Sequence, residues 1–197
     1  MQLVVGLGNP GPRYLGTRHN AGFLVVAELA RRRGLTLASQ RQALVARGDG
    51  VVLAQPTTFM NLSGTAVQAL MTRHGVRPAQ LLVVHDDLDL PLGRVRFKHG
   101  GGAGGQRGVQ DVIARIGPAF DRLKVGISRP PPRWEVERWV LSRFTDDEHE
   151  LVGRVVDAAA DAAERWLGQG LERAQNWANG LDLRASEPEP EPGGGAS

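Results

Sequence analysis

Among the five histidines of this chain, His19 stands in a segment suited to presenting a side chain: Thr17-Arg18-His19-Asn20-Ala21-Gly22, where a loop passes into a helical pattern. A residue at such a junction can reach a cleft. A neutral imidazole, with an ordinary pKa near 6.5, can accept a proton from water close to neutral pH. A second group, His85-Asp86-Asp87-Leu88-Asp89, closes an apolar run. Its carboxylates fit a metal ion, a capped turn, or an Asp that orients a histidine elsewhere in the chain. No second group supplies metal ligands at fixed spacing, which favours the orienting Asp. The chain has no cysteine and no Gly-x-Ser-x-Gly. Thiol chemistry is thereby excluded and a serine elbow disfavoured, which leaves water activated by His or a carboxylate as the hydrolytic option.

Two glycine motifs invite other chemistry. Gly6-Leu7-Gly8-Asn9-Pro10-Gly11 matches a dinucleotide fingerprint. That mechanism needs a helix to open at once onto the pyrophosphate, whereas Pro10 and Pro12 interrupt and the amphipathic pattern starts only near Asn20. A rigid loop presenting Asn9 is the better reading. The run Gly100-Gly101-Gly102-Ala103-Gly104-Gly105 lacks the Lys-Ser/Thr of a phosphate-binding P-loop. It is either a flexible surface loop or a backbone that lets a bulky polar ligand approach closely.

The elements that must position these residues follow from periodicity. Apolar runs at residues 3–7 and 81–85 read as buried strands, and 123–127 as a further strand. Residues 43–47 and 51–55, joined by Gly48-Asp49-Gly50, read as a hairpin. Arg94 to Lys98 alternates cationic and apolar residues, a half-exposed strand with a basic face. Helices are expected from Asn20 to Arg33, from a capping Ser63 to Gly75, over 109–116, and across 146–178. Strands alternating with helices predict an α/β single-domain sandwich, a mixed central sheet with helices on both faces. The domain is expected over residues 1–185. Residues 186–197, Glu-Pro alternation followed by glycines, are expected to be a disordered acidic tail.

With 197 residues, 41% hydrophobic and 23% charged, the composition is that of a globular protein. No stretch is long enough to span a membrane, and Met1–Gly6 has no cationic segment before its short apolar run; a cytoplasmic location is expected. Residues 1–134 carry 18 Lys+Arg against 7 Asp+Glu, and residues 135–197 carry 6 against 14. A basic body suits a polyanionic partner, although Arg-rich composition can also reflect genome base content.

Five segments in register, VGLGNPG (5–11), TRHNAG (17–22), PTTFMNLSG (56–64), HDDLDLPLG (85–93) and FKHGGGAGG (97–105), resemble the bacterial-type peptidyl-tRNA hydrolases over roughly residues 1–180. The resemblance implies a monomeric enzyme that cleaves the ester between a nascent peptide and the 3′-terminal ribose of tRNA, recycling the tRNA without cofactor or metal. It implies His19 as catalytic base and Asp86 as its partner. It places Asn9, Tyr14, Phe59, Met60, Asn61 and Arg107 on the substrate, with Asn61 holding either the water or the oxyanion. Lys98 and Lys124, with Arg96, would hold the tRNA 5′-phosphate; these two are the only lysines in the chain. Two positions depart from the family pattern. Arg107 stands where a substrate-binding Asn is expected, a cation that either adds a phosphate contact or alters how the cleft closes, and Ala103 replaces a residue that is often His. A non-catalytic RNA-binding scaffold is the competing reading, motivated only by the altered segment at 105–108.

Overall fold

In the computed structural model, which describes residues 1–184, the chain folds around a seven-stranded sheet of order β2-β3-β4-β1-β5-β7-β6. The strands are β1 Gln2–Gly6, β2 Ala38–Gln40, β3 Ala43–Gly48, β4 Val51–Pro56, β5 Leu81–Asp87, β6 Val95–His99 and β7 Asp121–Gly126. β4, β1, β5 and β7 run parallel, while β2, β3 and β6 are antiparallel additions at the two edges. The helices are α1 Ala21–Arg32, α2 Ser63–His74, α3 Arg107–Ile116, α4 Val136–Val140, α5 His149–Gln169 and α6 Leu171–Ala178.

Strand alternation divides the core in two. Val4, Leu53, Leu82, Val84, Phe97 and Leu123 point to the face covered by α1, α5 and α6. Leu3, Val5, Val52, Leu81 and Val83 point to the face covered by α2 and α3. Strands buried on both faces need no polar alternation, which is why β1 and β5 read as continuous apolar runs. The expected mixed sheet with helices on both faces is the architecture found. The acidic tail expected over 186–197 lies outside the described residues.

Local chemistry differs from expectation at a few joints. Ser63 does not cap α2: the chain enters through a 3-10 turn, Met60–Leu62, and the Ser63 hydroxyl donates to the Met60 carbonyl at 2.6 Å. The helical stretch at 146–178 is a 3-10 turn followed by α5 and α6, divided at Gly170 with φ 82°. The short β2 and α4 carry too few residues for a periodic signal.

Topology creates the cleft. β1 lies between β4 and β5. The helix after β1 packs on one face and the helix after β4 on the other. Their connections therefore part beyond the carboxyl ends of the central strands, where open α/β sheets place ligands.

Candidate active site

The cleft has a volume of about 580 Å³ and lies beyond β1, β4 and β5. Of the residues singled out in the sequence, Asn9, Tyr14, His19, Phe59, Met60, Asn61, Asp86 and Arg107 all line it. The β1–α1 connection, the β4–α2 connection, the end of β5 and the start of α3 thus meet in one place.

Close backbone packing brings His19 to Asp86, 67 positions away in sequence. Gly22, in the first turn of α1, sits against the strands so tightly that a Cβ there would lie 2.3 Å from the Val84 carbonyl oxygen and 2.6 Å from the Leu7 amide nitrogen. A Cβ on Gly6 would lie 2.1 Å from the Gly22 carbonyl oxygen. With no Cβ at either position, α1 rests directly on β1 and β5, and the residue three before Gly22 meets the residue two after Val84. Arg18 secures the same turn from the other side. Its guanidinium is buried, bonds Glu148 through both terminal nitrogens at 3.1 and 2.7 Å, and stacks 3.7 Å from the Trp139 ring. Bidentate pairing and stacking fix a guanidinium in one geometry.

His19 Nδ1 lies 2.9 Å from Asp86 Oδ2. An ionised carboxylate only accepts, so Nδ1 carries the proton and Nε2 keeps its lone pair. Asp86 is itself held: Gln106 Nε2 donates to Asp86 Oδ1 at 3.0 Å. Gln106 is oriented in turn by the Val109 amide, which donates to Gln106 Oε1 at 2.7 Å and makes Gln106 the N-cap of α3. The donor order from Val109 through Gln106 to Asp86 leaves no freedom in how either group faces.

Burial disfavours a charged imidazole at His19, and Arg107 does so too, but the charge and hydrogen bond of Asp86 outweigh them and raise its pKa above the ordinary value. His85, also in the cleft wall, is different. Burial pushes it down to about 4 despite the Asp86 carbonyl and charge beside it. Its Nδ1 lies 2.7 Å from the Asp86 carbonyl oxygen and its Nε2 is buried without a partner. Of the two imidazoles, only His19 combines basicity with an ionised partner.

The amides frame the opening. Asn9 is buried, and its Oδ1 accepts from the Met60 amide at 2.7 Å, joining the β1 loop to the β4 loop. Asn20 grips the Asn9 backbone at both ends, accepting from its N–H and donating to its carbonyl, each at 2.9 Å. Asn9 thus keeps its Nδ2 donors for the cleft. Asn61 is exposed beside Met60. Tyr14 and Phe59 meet edge to face at 6.4 Å on the rim. Met60 is buried under α3, and Gly108 leaves room for it: a Cβ at 108 would lie 2.5 Å from the Met60 sulfur.

The three expected phosphate contacts are not in this cleft but on β6 and β7 next to it. Arg96 is directly opposite Lys124, and Lys98 opposite Arg122. Lys124 is ion-paired with Asp87, itself in the cleft wall. Arg122 is buried and donates to the carbonyls of Gly100 and Gly102, so it fastens the glycine segment. Among the described residues, no three His, Asp or Glu side chains gather where they could hold a metal ion, and no helix is long and apolar enough to cross a membrane.

Gln106 and Asn20 are site residues that sequence reasoning misses. An amide three positions before the first apolar residue of the α3 pattern is the available signal for Gln106, but Gln is not among the favoured N-caps. Nothing local marks Asn20, whose partner is Asn9 across the fold.

Sequence and structural relatives define the class, a hydrolytic enzyme on an α/β sandwich. The peptidyl-tRNA hydrolase family profile matches residues 3–187, and the chain belongs to this family. It is 50% identical to peptidyl-tRNA hydrolase of Deinococcus deserti, over 97% of this chain and 89% of that one. The enzyme of Thermus thermophilus is 46% identical, over 93% and 98%. A crystal structure of peptidyl-tRNA hydrolase from Acinetobacter baumannii has a TM-score of 0.88 to this chain at 36% identity, covering 93% of this chain and 96% of that one.

Proposed function

We propose that this hydrolase cleaves the ester between a peptide and the 3′-terminal ribose of tRNA by His19-activated water, returning tRNA from prematurely released peptidyl-tRNA. The observation that carries the mechanism is the 2.9 Å contact between His19 Nδ1 and Asp86 Oδ2. Nε2 takes a proton from water as the water oxygen attacks the ester carbonyl. Asp86 stabilises the imidazolium that results. The tetrahedral intermediate collapses with cleavage of the bond to the ribose 3′-oxygen, which receives the proton from His19. The freed carboxylic acid ionises at neutral pH, leaving a peptide carboxylate.

Asn61 donates to the developing oxyanion or holds the water, and the Nδ2 donors of Asn9 face the peptide main chain or the terminal nucleotide. Main-chain recognition suits an enzyme indifferent to peptide sequence. Lys98, Lys124 and Arg96 supply the cations for the 5′-phosphate, Lys124 exchanging Asp87 for the phosphate as it binds. Such contacts are blind to base identity and sensitive to salt.

The test is His19→Ala with purified peptidyl-tRNA. Loss of peptide release with the fold intact is expected. Turnover near that of the unaltered enzyme would remove His19 as the base, and tRNA binding without hydrolysis by the unaltered chain would favour a scaffold.

A further inference from the structure

The described residues lining the cleft include three carboxylates, Asp86, Asp87 and Glu137, and one side chain with a permanent positive charge, Arg107. Asp86 is committed to His19 and Gln106, and Asp87 to Lys124. Arg107 is exposed, and none of the hydrogen bonds or ion pairs among the described residues involves its guanidinium. Its backbone is fixed all the same, because it is the first residue of α3, directly after the N-cap Gln106 that grips Asp86. The charge is close enough to oppose protonation of His19. A guanidinium with no partner among the described residues thus stands one residue from the group that holds the dyad, in a cleft whose other walls are amide, apolar and acidic side chains.

Among the described residues lining the cleft, Arg107 is the side chain that offers a permanent positive charge to the anion the reaction makes. We infer that Arg107 binds the C-terminal carboxylate of the freed peptide and the oxyanion that precedes it. Guanidinium offers paired N–H donors matched to the two oxygens of a carboxylate, a geometry that an ester or amide group cannot complete. The ligand class is therefore a peptide with a free C-terminal carboxylate. Because charge on the carbonyl builds up only as water attacks, the contact strengthens along the reaction, which is what raises kcat. The inference rests on the ester hydrolysis proposed above.

The experiment compares N-acetyl-dialanine with its C-terminal amide, as inhibitors of peptidyl-tRNA cleavage and as ligands in NMR titration. The unaltered enzyme is expected to bind the carboxylate about tenfold tighter than the amide, the effect of one charge-assisted contact. Arg107→Gln should bring the two ligands to parity and lower kcat more than it raises KM. It should also move the acidic midpoint of the rate profile upward, since a cation that opposes protonation of His19 is gone. Arg107→Lys should recover part of the preference. Equal binding of both ligands by the unaltered enzyme, or an undiminished preference in Arg107→Gln, overturns the inference. His19→Ala separates it from the reaction on which it rests. That variant should still prefer the carboxylate by NMR, so if it also cleaves substrate normally the fault lies with the mechanism and not with Arg107.

Discussion

Replacing Asp86 with Asn exchanges one carboxylate oxygen for an NH2 group and, given what surrounds it, reverses the proton order of the dyad. Gln106 Nε2 points a donor at position 86 from 3.0 Å, and the Val109 amide, 2.7 Å from Oε1, prevents Gln106 from turning over. The introduced amide therefore offers its oxygen to Gln106 and its NH2 to His19. His19 Nδ1 must then accept, which moves the proton to Nε2 and removes the lone pair that water needs. The opposite orientation sets two buried donors against each other, at a cost of about 1–3 kcal/mol, or a factor of about 5–150 in population. Loss of the charge that supports the imidazolium adds to this. A positioned base contributes about 10²–10⁴-fold, and a histidine held in the wrong tautomer costs about 10⁴-fold in triad hydrolases. Single-turnover cleavage of peptidyl-tRNA by Asp86→Asn should thus be slower by about 10²–10⁴-fold, or about 2.7–5.5 kcal/mol. Adding Gln106→Ala frees the introduced amide to turn and should return about a factor of five or more. A rate within threefold of the unaltered enzyme would refute the dyad, and no recovery in the double variant would refute the orientation imposed by Gln106.

Other outcomes follow from the same contacts. His19 acts as a base only when neutral and its pKa is raised, so kcat/KM should fall as pH drops through a midpoint above 6.5, measured with a non-titrating substrate. Gly22→Ala places a methyl group against the Val84 and Leu7 backbone, and thermal melting should show a loss of about 3 kcal/mol or more, because neither neighbour is a side chain that can turn away. Lys98→Ala and Lys124→Ala should raise KM for tRNA substrates and flatten its salt dependence, each removing about one unit of slope; an unchanged slope would mean that neither touches phosphate. Glu148 is opposed by its own burial, yet its bidentate bond to Arg18 and the Thr145 amide hold it below the ordinary carboxylate range. A depressed carboxylate stabilises above its unfolded pKa and ceases to do so as pH falls through the folded one. Glu148→Gln should therefore destabilise at neutral pH and matter little in acid, as read by melting curves at both.

The sheet is legible in the sequence because its central strands are buried on both faces, so Leu3–Leu7 and Leu81–His85 announce themselves as apolar runs. The helix faces are legible for the same reason in another period, Val109 and Val112 falling on one stripe. What cannot be read is anything that depends on two distant segments meeting. The approach of His19 to Asp86 is set by Gly6 and Gly22, whose importance lies in what a Cβ would strike, and sequence alone does not reveal the neighbour. Gln106 reads as part of a divergent glycine segment until its amide is placed between Val109 and Asp86. The basic strand is visible as alternation, but not the pairing of Lys124 with Asp87. Entry to α2 differs from expectation because a serine after Met60-Asn61-Leu62 satisfies the usual N-cap signature, while a 3-10 turn satisfies the same backbone groups.

The most direct measurement is a ¹⁵N NMR titration of the His19 ring in the full chain, set beside the pH profile of kcat/KM. The neutral ring should be protonated at Nδ1 and bare at Nε2, with a midpoint above 6.5 that coincides with the kinetic one. A neutral ring protonated at Nε2, or a midpoint unrelated to the kinetic profile, would contradict the assignment of His19 as the base.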